Sequence, residues 1–68
     1  MNIYALAQVA FQAGYVAAEF DCVSSPTACP IYADLLALSP DSGTVLAAEW
    51  MRGYKHRCDE DTVMNEAA

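Results

Sequence analysis

This chain has little of what active sites are built from: one histidine, His56, three Lys or Arg residues and three glycines in 68 positions. One histidine at a helix end supports no Ser/His/Asp or Cys/His set. Gly43 stands alone between Ser42 and Thr44, so no glycine-rich phosphate loop exists. The cysteines, Cys22, Cys29 and Cys58, contain no Cys-x-x-Cys pair. His56 and Cys58, two apart on a helix, would point about 160° from one another, which is poor geometry for zinc. Asp34, Asp41 and Glu49 read as carboxylates on solvated faces. No stretch shows the alternation of a strand. The expectation is a protein that is not an enzyme, with no catalytic residues, no cofactor and no metal site.

Basic residues are scarce against nine acids, and the net charge of −6 repels phosphate backbones and anionic lipid over most of the surface. That disfavours nucleic acid and favours a neutral or basic protein partner. The N-terminal stretch "MNIYALAQVAFQAGYVAA" is apolar but lacks a basic leader, contains Gln8 and Gln12, and is followed by Glu19 and Asp21. A signal peptide and a membrane span are therefore not expected, and the cytoplasm is the expected compartment. An odd number of cysteines fits a reducing compartment, with a Cys22–Cys29 disulfide left open. The composition is 56% apolar and 18% charged, more apolar surface than so short a chain can hide. Self-association as a homodimer is the simplest remedy.

Three helices are expected, over about residues 3–20, 30–38 and 40–57, forming one domain over residues 1–58 and followed by an acidic mobile tail over 59–68. Asn2 is placed to cap the first. On it Gln8, Gln12, Tyr15 and Glu19 form one polar stripe, opposite a face of Ile3, Leu6, Ala10, Ala13, Gly14 and Ala17. Val9, Val16 and Phe20 occupy one flank, and Ala7, Phe11 and Ala18 the other. Pro30 suits the first position of a short helix presenting Ile31, Leu35 and Leu38. Ser39-Pro40-Asp41 is a stronger start signal for the last helix, whose Leu46, Ala47, Trp50, Gly53 and Tyr54 share a face. Arg52, Lys55 and Arg57 would close that helix, where cations offset the exposed carbonyls.

The segments "AFQAGY" (Ala10 to Tyr15) and "EWMRGY" (Glu49 to Tyr54) share an aromatic residue, two intervening positions, then Gly-Tyr. A glycine inside a helix costs roughly 0.5–1 kcal/mol relative to alanine, so two at matched positions imply a benefit in packing. Helix or dimer packing is accordingly expected at Leu6, Ala10, Ala13, Gly14, Ala17, Trp50, Gly53 and Tyr54. Tyr4, Phe11 and Tyr15 border the polar stripe and are candidates for partner binding, with Arg52 and Lys55 supplying positive charge.

Ala10 to Tyr15, Cys29-Pro30-Ile31 and Ala48 to Tyr54 together resemble the ribosome modulation factor family of bacterial and phage-encoded helical proteins. That family carries a Gly-Tyr in its first helix, a Cys-Pro-aromatic step in the linker and a Trp-x-x-Gly-aromatic segment in its second. The resemblance implies an all-α fold in which Gly14, Tyr15, Cys29, Pro30, Trp50, Gly53 and Tyr54 define the structure. Here Ile31 replaces the usual aromatic, and the surface is acidic where the founding members are basic. The expected architecture is an antiparallel helical hairpin with a short intervening helix, dimeric. The expected function is a protein-binding regulator, a phage-type inhibitor or anti-activator of a host protein in the cytoplasm of a bacterial or phage-infected cell. Ribosome association is the alternative.

Overall fold

The computed structural model describes residues 2–20, 22 and 24–67, with 61–67 as backbone only. The fold is all-α. Helix α1 spans Ile3–Glu19, α2 spans Pro30–Leu38 and α3 spans Gly43–Ala67, and no strand occurs among the described residues.

Local chemistry sets most of the boundaries. The Asn2 side chain accepts the Tyr4 N–H at 2.8 Å, satisfying one orphan donor at the start of α1. At the other end the Cys22 N–H closes onto the Ala17 carbonyl at 2.8 Å and turns the chain away. A 3-10 turn over Pro26–Ala28 leads to α2, which begins at Pro30, where the missing N–H costs nothing. The Ser39-Pro40-Asp41 signal is read slightly differently from expectation: Pro40–Ser42 forms a 3-10 turn, and the α-helical geometry starts at Gly43. Within that turn the Ser39 hydroxyl donates to that of Ser42 at 2.8 Å.

Helix α1 lies along α3, and α2 packs across both. The core comprises Leu6, Ala10, Ala13 and Ala17 from α1, Tyr32 and Leu35 from α2, and Leu46 and Trp50 from α3. These α1 residues belong to the face expected to be buried. Ala18, assigned to a flank, is buried as well. Among the described residues only Trp50, Leu6 and Leu46 are large and fully buried.

Two expectations are corrected. The inner face of α2 is Tyr32 and Leu35 with Leu36 beside them, whereas Ile31 and Leu38 are 46% and 64% exposed. Turning the helix this way lets the Tyr32 hydroxyl donate a long hydrogen bond of 3.4 Å to the Gly43 carbonyl and sets Leu36 against Gly43. Helix α3 does not stop near Arg57 with a tail from residue 59, but continues to Ala67. No glycine or proline follows Arg57 to break it. In addition, the Tyr15 hydroxyl donates to Glu60 at 2.6 Å, tying the turn beyond Arg57 to α1.

Candidate interaction surface

The two glycines meet across the α1–α3 contact. A methyl group added at Gly14 would overlap the Trp50 carbonyl oxygen and lie 2.8 Å from its carbon and 3.1 Å from the Tyr54 nitrogen. One added at Gly53 would overlap the Phe11 carbonyl oxygen and lie 2.8 Å from its carbon and 3.0 Å from the Tyr15 nitrogen. Each glycine thus seats on the backbone of the other aromatic-x-x-Gly-Tyr segment. Backbone touches backbone there, and no side chain of any size fits between.

The tyrosines after the glycines extend the reciprocity. Tyr15 donates to Glu60 of α3, and the Tyr54 hydroxyl donates to the Cys22 carbonyl just past α1, at 2.7 Å. Tyr54 also stacks on Trp50, with ring centroids 5.5 Å apart and an interplanar angle of 21°. The Glu60 carboxylate holds the Tyr15 phenol in its neutral form, with smaller contributions from burial and the negative charge itself, so its pKa rises above the ordinary phenol value. Because the folded-state value is raised, the stabilisation is complete below about pH 10, the unfolded phenol's pKa, and is lost as pH rises through the higher folded value. Tyr15→Phe should therefore remove from an ultraviolet titration a phenol that ionises above the ordinary phenol value, and flatten the loss of stability in that alkaline range. If the phenol lost in the variant ionises at the ordinary value and the alkaline stability profile is unchanged, the hydrogen bond is ruled out.

Two clefts flank the crossing, one beside each aromatic residue. Phe11 forms a wall of a cleft of about 310 Å³ whose other lining residues, all from α3, are Arg52, Lys55, His56 and Asp59. Trp50 borders a larger cleft of about 490 Å³, to which α1 contributes Ala13, Val16, Ala17 and Phe20, and the linker and α2 contribute Cys29, Pro30 and Ile31 among others. In the register that sets Gly14 on Gly53, Ala13, Val16, Ala17 and Phe20 stand where Arg52, Lys55, His56 and Asp59 stand. The same backbone arrangement thus yields one apolar cleft and one charged cleft.

The charged cleft gathers three of the five residues expected to bind a partner: Phe11, Arg52 and Lys55. Tyr15 adjoins it through His56, whose ring meets Phe11 edge-on at 5.8 Å and Tyr15 at 6.1 Å. Tyr4 is 77% exposed on the first turn of α1 and does not line the cleft. His56 and Asp59 also belong to the site, and only the packing of α1 on α3 brings them to Phe11. Arg52 pairs with Glu49 at 2.7 Å, and the Arg57 guanidinium sits 5.9 Å from the centroid of the Tyr15 ring. Lys55 is exposed and has no ion-pair partner among the described residues.

All eight residues expected at helix or dimer packing are inside the chain: Leu6, Ala10, Ala13, Gly14, Ala17, Trp50 and Gly53 are buried, and Tyr54 is half-buried. The inner face of α1 is therefore covered by the chain's own α2 and α3. Cys22 and Cys29 line the apolar cleft without being bonded to one another. Among the described residues no group of His, Cys, Asp and Glu is arranged to hold a metal ion, and no helix is long and apolar enough to cross a membrane. No family model matches the chain, and no curated protein or solved structure is similar to it.

Proposed function

We propose that this chain is a non-enzymatic, protein-binding regulator that engages its target through the charged cleft at Phe11. The observation that carries this reading is the position of the basic cluster. Cations near residue 57 would have an electrostatic role if the helix ended there, but α3 continues to Ala67 and has no basic residue in its last turn. Arg52, Lys55 and Arg57 are therefore mid-helix, and that helix-end explanation no longer applies to them. On a chain of net charge −6, every Lys and Arg lies within six positions, and two of the three line a cleft with an aromatic wall. Arginine and aromatic side chains in a concave site are the usual anchors of protein recognition.

The long helices are read as an antiparallel hairpin. Phe11 meets His56, whereas Ala17 and Phe20 flank Trp50, so later positions of α1 meet earlier positions of α3. The chain is read further as a homodimer in the cytoplasm of a bacterial or phage-infected cell, acting as an inhibitor or anti-activator that covers a surface of a host regulator or enzyme. The acidic balance and the resemblance to a family found in phages support this part. Ribosome association ranks second, because Arg57 is turned onto Tyr15 and a phosphate backbone is held by releasing counterions from several cations.

Affinity capture from a bacterial lysate near physiological salt tests the reading. The parent chain should retain one soluble protein in stoichiometric amount, and an Arg52→Glu/Lys55→Glu variant of unchanged helicity should lose it at least about tenfold, the effect of roughly 1.4 kcal/mol. Equal retention by both chains, or none by either, contradicts the proposal; a ladder of ribosomal proteins moves the function to the ribosome.

A further inference from the structure

The apolar cleft has a different use. We infer that it is the homodimer interface, in which Phe20 of each copy enters the cleft beside Trp50 of the other. This rests on the dimeric part of the reading above and is independent of the target-binding part.

Three observations lead to it. The first is the deficit in the chain's own core: among the described residues four of the nine buried apolar ones are alanines, Ala10, Ala13, Ala17 and Ala18. Small side chains bring the helices together, but they remove little area from water, and chains of this size commonly need a partner subunit. Meanwhile Phe20, Ile31 and Val16 are 72%, 46% and 43% exposed, and all three rim the same cleft.

The second is charge. Two copies carrying −6 each repel over most of their surface, yet α1 contains one acid, Glu19, and no base, and among the described residues no charged side chain lines the cleft. It is the face on which two copies can approach without bringing like charges together.

The third is shape. An exposed aromatic ring and a cleft of about 490 Å³ lie side by side on one face. A two-fold rotation places each ring over the other copy's cleft, the self-complementarity that a closed dimer requires. A second copy covers both the ring and the cleft it borders.

Sedimentation equilibrium of the full chain across a wide concentration range tests the inference. The parent should sediment at twice its 7.3 kDa mass. Phe20→Asp should raise the dimer dissociation constant by about 100-fold or more, since a two-fold interface counts each change twice. Val16→Lys, which installs the residue found at the matched position of the charged cleft, should act in the same direction and guards against a folding defect in the first variant. Leu38→Asp, at an exposed position that does not line the cleft, should leave the dimer intact. A monomeric parent, a dimer indifferent to both cleft variants, or a mass that grows without limit as concentration rises would each overturn the inference. None of these results depends on whether a target is captured.

Discussion

Gly14→Ala should lower the melting temperature by at least about 12 °C, and Gly53→Ala by a similar amount, although alanine is the better helix former. On an exposed helical surface the same change would stabilise by up to about 1 kcal/mol. Here the new methyl overlaps a backbone carbonyl oxygen of the opposing helix, at Trp50 for Gly14 and at Phe11 for Gly53. A flexible side chain can rotate away, but a helical carbonyl cannot leave without moving its helix. Overpacking costs typically about 1–3 kcal/mol, and the rigid partner places these sites at or above the upper end. Gly43→Ala is the internal control. Its methyl would meet only side-chain ends, Leu36 at 3.1 Å and the Tyr32 hydroxyl at 4.0 Å, and the backbone there is already helical at φ −54° and ψ −41°. That variant should be neutral or slightly more stable. Thermal unfolding of all three at one protein concentration checks the set, and three equal responses would show that the glycines do not mark a close crossing. Because Gly14 and Gly53 act on the same contact, the double variant should lose less than the sum of the single losses.

Trp50→Ala should leave the chain largely unfolded at room temperature. Trp50 is fully buried, stacks on Tyr54 and lies under both Gly14 and the apolar cleft. Truncating a buried tryptophan costs about 3–5 kcal/mol, against a total stability on the order of 3–10 kcal/mol for a domain of this size. Trp50→Phe should behave differently. The indole Nε1–H is buried without a hydrogen-bond partner among the described residues, and an unsatisfied donor costs about 1–3 kcal/mol. Phenylalanine removes that donor and keeps a ring to stack on Tyr54, so the relief offsets most of the lost volume. Urea unfolding followed by circular dichroism should place Trp50→Phe within about 1 kcal/mol of the parent. A loss as large as that of the alanine variant would mean that the indole nitrogen is satisfied in solution.

The helix crossing was legible in the sequence because two short segments repeat one pattern. Glycine at a matched distance from an aromatic has few explanations in a helix other than close approach. The rotation of α2 was not legible. Nine residues make too few turns for periodicity to choose between Ile31/Leu38 and Tyr32/Leu36, and the choice falls to a tertiary contact of Tyr32 and Leu36 with Gly43. The end of α3 was misjudged because residues after Arg57 are acidic and polar, which resembles a solvated tail. Polarity does not stop a helix in the absence of a breaker, and the anchor at Glu60 lies on Tyr15, far away in sequence. The charged cleft was half legible. Phe11, Arg52 and Lys55 were singled out by residue type, but His56 and Asp59 join them only once α1 and α3 are packed.

The central claim is that one crossing builds two clefts of opposite chemistry, one for the target and one for a second copy. Its most direct test is affinity capture from the same lysate by three chains in parallel: the parent, Arg52→Glu/Lys55→Glu and Phe20→Asp. The parent and Phe20→Asp should retain the same protein while the charge-reversed chain loses it. Retention by the charge-reversed chain together with loss by Phe20→Asp would contradict that claim, placing the target in the apolar cleft and leaving the basic cluster without a function.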